Sequence, residues 1–137
     1  MIMAAAHKLF ISSTFFPNSE GFVAALKTIE ILERDNVLEN IWAKGDWLMK
    51  KIQAIIDKHA VGAELSGVAP MFYITFKKEA SGSYKGKRRD FYTHLIRRGF
   101  FFTPFHHAYI CYRHTEQDLD STAHAIDEAL AYVKAKY

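Results

Sequence analysis

Apolar residues recur along this chain in two rhythms, and the rhythm changes near residue 70. Between residues 20 and 34, Phe22, Leu26 and Ile29 fall on one side of a helical wheel, with Val23 and Ala25 beside them. The i, i+4, i+7 spacing predicts a helix with one buried stripe. Asn18 or Ser19 supplies its N-cap, and Asp35-Asn36 breaks it. The helical period resumes over residues 37–60 through Leu38, Ile41, Trp42, Leu48, Met49, Ile52, Ile55 and Ile56. Gly45 lies on the same stripe, and Gly62 suits the helix stop.

The period then shortens. Residues 71–76 are β-branched and aromatic and predict a strand, with Pro70 at its start or at a bulge. Residues 79–89 are polar and contain glycine, which predicts a mobile loop, and a short helix follows over 90–98 with Gly99 as its stop. Phe100-Phe101-Phe102 and residues 108–112 read as two further strands, joined by a turn over 103–107. Thr115 and Asp118 have the spacing of a capping box, with aspartate in place of glutamate. The last helix, 116–136, should bury Leu119, Ile126, Leu130 and Val133. The expected order is α-α-β-α-β-β-α. It implies an α+β fold, in which a small, mainly antiparallel three-stranded sheet carries helices on one face behind a long helix pair.

Composition narrows the function. A chain of 137 residues with half its positions apolar and 15% aromatic can build one modest core. A net charge of +3 argues against a dedicated nucleic-acid binder. Cys111 is the single cysteine, which excludes an internal disulfide and suits the reducing cytoplasm. No apolar run approaches the roughly 20 residues of a membrane span. The first ten residues lack the basic region of a signal peptide.

Several residues invite chemistry. His106, His107 and His114 suggest a metal site, but zinc requires three or four convergent ligands. Adjacent histidines on a strand edge would point to opposite faces, so no metal is expected, and His106 or His107 is read instead as facing a substrate site. The basic run Lys85-Gly86-Lys87-Arg88-Arg89 beside Tyr84 reads as a solvated loop rather than an RNA contact. Cys111 has no base near it in sequence and is not expected to act as a nucleophile. Ser12-Ser13-Thr14 precedes a helix start and by itself reads as an ordinary capped turn, although hydroxyls and backbone N–H groups there also suit an anion.

Three separated segments carry a resemblance. The first is Ser12-Ser13-Thr14-Phe15, then Asn18, then the alanine-rich stretch from Ala24 to Leu32. The second is Val37-Leu38-Glu39-Asn40 with Lys44-Gly45. The third is Gly99, Pro104, His114-Thr115-Glu116-Gln117-Asp118-Leu119-Asp120 and Glu128-Ala129-Leu130. In order and spacing they resemble the C-terminal segment of class III, fold-type-I pyridoxal-phosphate (PLP) aminotransferases, most closely the glutamate-1-semialdehyde aminomutase branch.

The resemblance implies that residues 1–36 pack on a large domain, that 37–137 form the C-terminal small domain, and that the parent enzyme is a homodimer. It implies that Thr14, helped by Ser13, binds the cofactor phosphate, with the donor reaching in from the neighbouring subunit. The Schiff-base lysine and the aspartate that partners the pyridine nitrogen would lie before residue 1, so this chain carries no catalytic residue by that resemblance and should be inactive alone. It departs from the family where Phe16-Pro17 replaces two glycines and Ser19 replaces a proline. Cys111, with Arg113 two residues on, also stands where many relatives place a carboxylate-binding arginine. That last departure is shared with aminomutases. The alternative is a non-catalytic dimerisation or interaction module.

Overall fold

The computed structural model of the chain describes residues 18–137. The chain divides between Asn36 and Val37 into two compact units. In the first, helix α1 spans Ser19–Arg34. Asn18 Oδ1 accepts the Glu20 N–H at 2.9 Å, and so satisfies one of the free donors of the first turn. Asn36 at φ 48° sits in the left-handed region and ends the helix, as the Asp35-Asn36 break implied. The expected inward face is a different matter. Phe22, Leu26 and Ile29 are 61, 69 and 52% exposed, and no residue of α1 is buried.

The second unit is the α+β fold. Helix α2, Val37–His59, buries Gly45, Leu48, Ile52 and Ile56, while Leu38 and Trp42 at the edge of the predicted stripe stay exposed. The helix stops at Ala60, whose φ of 53° takes the left-handed position two residues before Gly62. A hairpin follows. Strand β1, Ala63–Val68, pairs antiparallel with β2, Met71–Phe76, in the register Ala63↔Phe76 to Val68↔Met71, so Ala69-Pro70 form a two-residue turn. That turn presses on α2. A Cβ on Gly45 would collide with the Ala69 carbonyl, which is why the stripe needs glycine there.

Strand β1 is absent from the expected order. Its alternation of Ala63 and Leu65 with Glu64 and Ser66 carries little strand propensity, and its identity comes from pairing with β2. Helix α3 runs over Ser83–Arg97, so most of the expected loop 79–89 is helical, basic run included. Phe100–Phe102 is not a strand. Gly99 at φ 89° donates to Ile96 O, and Phe100 donates to Leu95 O, both at 3.0 Å, which makes this segment the closing motif of α3. The third strand, β3, is only Ala108–Tyr109, paired antiparallel with the start of β2 and extended by Ile110 N–H to Pro70 O.

Helix α4, Glu116–Lys136, starts at the expected capping box: Asp118 N–H donates to Thr115 Oγ1 at 3.1 Å, and Thr115 N–H returns the bond to Asp118 at 2.8 Å. Leu119, Ile126, Leu130 and Val133 are all buried. Strand order is β1-β2-β3. Phe72, Ile74 and Phe76 point from β2 into a core shared with Leu48 and Ile52 of α2, Phe91 and Leu95 of α3 and the buried face of α4. His59 pins α2 to α4 through Asp127 at 2.5 Å, and Tyr92 donates to the Ile74 carbonyl at 2.6 Å inside the core. Among the described residues no helix is long and apolar enough to cross a membrane.

Candidate functional site

An open groove of about 640 Å³ lies in the second unit, between the 99–110 segment and the start of α4. Its floor is apolar, from Leu48, Phe72, Ile110 and Leu119, and its polar groups are His106, His107, His114, Asp118, Ser121 and Thr122. The sequence positions this rim by two local devices. The closing motif of α3 turns the chain outward at Gly99, and the capping box fixes the start of α4. Between them the 103–107 loop is held by the Tyr73 hydroxyl, which donates to Pro104 O at 3.1 Å, and by His106 N–H on Thr103 O.

Each histidine of the rim has a defined setting. His106 Nδ1 lies 3.2 Å from the His107 carbonyl, so Nδ1 donates to it. His107 stacks at a tilt on Tyr73, with centroids 6.0 Å apart, and His106 on Tyr109 at 5.8 Å. His114 Nδ1 accepts the Cys111 N–H at 3.2 Å, which places its proton on Nε2. Asp118 is occupied by its cap. Hydrogen bonds from the Thr115 backbone and hydroxyl hold its carboxyl below the ordinary range.

Both candidate substrate-site histidines, His106 and His107, line this groove. They belong to a loop rather than a strand edge, so the rule that adjacent residues face opposite ways does not govern them. The described residues contain no group of three or more metal-ligating side chains. Ser13 and Thr14, the phosphate donors that the resemblance implies, lie outside the described residues. Cys111 and Arg113 are exposed, and among the described residues no lysine or arginine lines the groove. Its chemistry is therefore that of hydrogen-bonding imidazoles and hydroxyls over an apolar floor. It can position an amide, ester or amine but lacks a guanidinium to clamp a free carboxylate.

The sequence reading missed Tyr73 and the contact between Arg88 and Phe105, where the guanidinium carbon sits 4.1 Å from the ring centroid. Seventeen positions separate these two residues, so no local motif announces the pair. Only the helical phase of Tyr84, Arg88, Phe91 and Leu95, four and three residues apart, could have shown that Arg88 leaves the solvated face.

This α+β unit has the fold of the C-terminal domain of PLP-dependent transaminases. The chain superposes on the FumI protein of a Sphingopyxis species, solved in its PLP internal aldimine form, with a TM-score of 0.83 at 23% identity, over 96% of this chain and 31% of that one. An omega-transaminase from Sphaerobacter thermophilus matches with a TM-score of 0.77 at 17% identity, over 92% and 31% of the two chains. No protein-family model matches. Sequence relatives carry the assignment further. A 3-aminobutyryl-CoA aminotransferase of Cloacimonas acidaminovorans is 52% identical over 129 residues, which is 94% of this chain and 31% of the relative. A glutamate-1-semialdehyde 2,1-aminomutase of Archaeoglobus fulgidus is 24% identical over 93% of this chain and 32% of the relative. The chain is a homologue of the C-terminal piece of aminotransferases and glutamate-1-semialdehyde aminomutases, and spans about a third of the length of those relatives.

Proposed function

We propose that the chain serves as the C-terminal part of a PLP-dependent aminotransferase that acts on a 3-aminoacyl thioester of coenzyme A. The observation that carries this reading is the 52% identity to a 3-aminobutyryl-CoA aminotransferase across nearly the whole chain. The groove agrees with it chemically. In a thioester sulfur replaces the charged oxygen of the carboxylate and leaves the acyl end neutral, so a rim of imidazole hydrogen-bonding groups without a lysine or arginine among its described lining suits it, and Cys111 in place of an arginine removes nothing such a substrate needs.

When bound, PLP supplies an electron sink for the carbanion formed at the amino-bearing carbon. This chain's part is positional. Thr14, helped by Ser13, donates hydrogen bonds to the cofactor phosphate. The apolar floor shields the reacting end of the substrate from water, and the His106 and His107 rings orient it by hydrogen bonds. We assign residues 1–36 to packing on a large domain, and the assembled enzyme to a cytoplasmic homodimer in which the bare face of α1 is covered.

The test uses the longer protein that contains this chain, titrated with PLP and followed by cofactor absorbance. Thr14→Ala should weaken cofactor binding by about 1.5–3 kcal/mol, the loss of one charge-assisted hydrogen bond. Unchanged affinity would remove Thr14 from the phosphate site, and absence of specific PLP binding would overturn the reading as a whole.

A further inference from the structure

The basic run on the first turns of α3 is not uniformly solvated. Lys87 pairs with Glu79 at 2.8 Å, and Arg89 with Asp90 at 2.9 Å. Arg88 and Lys85 are different: among the described residues neither has an acidic partner. Arg88 is half-buried and lays its guanidinium on Phe105, while exposed Lys85 sits 6.0 Å from the Tyr84 ring. Phe105 remains 73% exposed despite that contact, so much of the ring is open to a second flat partner.

A half-buried cation without a counter-ion is costly to keep unless something anionic meets it. A guanidinium offers planar, paired donors that match phosphate, and an exposed aromatic ring is a stacking platform for a nucleobase. Phe105 is also next in sequence to His106, and Pro104 is held by Tyr73, so platform and groove rim share one short, anchored loop. A phosphorylated adenosine carries both a flat base and the anions that these two features suit.

We propose that Arg88 and Phe105, with Lys85 one turn before Arg88 on the same helix, bind the phosphorylated adenosine end of the coenzyme A thioester, Phe105 stacking on the base and the two cations taking the phosphates. This inference rests on the reading that the substrate is a coenzyme A thioester.

The first experiment titrates coenzyme A, dephospho-coenzyme A and inorganic phosphate into the 137-residue chain. Coenzyme A should bind saturably and more tightly than the other two. Arg88→Ala and Phe105→Ala should each raise its Kd by about tenfold or more, and Lys85→Glu, at an exposed position that does not endanger folding, should also weaken it. Equal Kd values for the native chain and all three variants, or no saturable binding of coenzyme A, would overturn the proposal.

The second experiment uses the enzyme that contains this chain. It compares KM for 3-aminobutyryl-CoA with KM for the N-acetylcysteamine thioester of the same acid, which lacks the nucleotide. The native enzyme should prefer the coenzyme A thioester, and Arg88→Ala should erase most of that preference. A preference that survives Arg88→Ala and Phe105→Ala sinks this inference and leaves the thioester reading standing. Turnover of neither thioester sinks the reading beneath it.

Discussion

Helices α1 and α2 are written in the same code and meet different fates. Both repeat apolar residues at i, i+3, i+4 and i+7. In α2 that stripe becomes core, with Leu48 1% and Ile52 0% exposed. In α1 the equivalent side chains, Phe22, Leu26 and Ile29, lie bare. Hydrophobic period records that a face is meant to be covered, not which surface covers it. For α2 the cover is in the chain, as β1, β2 and α4. In α1 no residue is buried, and the chain spans about a third of the length of its relatives.

The sharpest way to break this contrast is to truncate one residue from each stripe. Ile52→Ala should cost about 2–5 kcal/mol of unfolding free energy, because a fully buried side chain leaves a cavity behind. Leu26→Ala in the same 137-residue chain should change it by about 0.5 kcal/mol or less. Denaturant unfolding of both variants checks the pair, and a Leu26 effect as large as that of Ile52 would mean α1 is packed after all.

Glycines give a second, smaller contrast of opposite sign. Gly45→Ala should destabilise by about 1–3 kcal/mol, since the new methyl must push the Ala69 carbonyl of the hairpin turn away. Gly21→Ala on α1 meets nothing within 4 Å and should stabilise by up to about 1 kcal/mol through helix propensity. The readout is the shift in thermal midpoint, upward for one and downward for the other.

Ion pairs divide the same way. Lys27–Glu30 on α1 is more than half exposed on both sides and contributes little. Asp90 of α3, by contrast, receives Lys136 at 2.5 Å, Arg89 at 2.9 Å and the Tyr137 hydroxyl at 3.0 Å, and these bonds, Lys136 foremost, pull its carboxyl from 3.8 to about 2. A carboxyl with a lowered folded-state pKa stabilises above its unfolded value and loses that contribution as pH falls through the folded one. Stability should therefore drop between about pH 4 and pH 2, and Asp90→Asn should flatten that part of an acid titration followed by circular dichroism.

These pairs also show what the sequence could and could not disclose. Both long helices, the capping box at Thr115 and the stop at Gly99 were legible because each is a local device with its own residues. Strand β1 was not, since Ala63, Ser66 and Gly67 favour a strand only once β2 lies beside them. The polar, glycine-bearing segment 79–89 carries a loop's composition, yet residues 83–89 are helical in α3. Gly86 is suited to its place there because a Cβ would meet the Tyr137 ring, a tertiary reason with no local trace. Phe100-Phe101-Phe102 has the aromatic composition of a strand, but Phe100 N–H closes α3 on the Leu95 carbonyl instead. Of the candidate site, His106 and His107 were found as side chains, but their shared groove depends on Leu48, Phe72 and Leu119 from distant segments.

The functional account stands or falls on the amino donor. The longer protein, loaded with PLP, should be mixed with 3-aminobutyryl-CoA in the absence of any acceptor and followed by cofactor absorbance and by product analysis. An aminotransferase of the proposed kind converts the cofactor to its amine form and releases one equivalent of the 3-oxoacyl thioester. No cofactor conversion with the thioester, together with isomerisation of glutamate-1-semialdehyde to 5-aminolevulinate, would contradict the account and move the chain to the aminomutase branch.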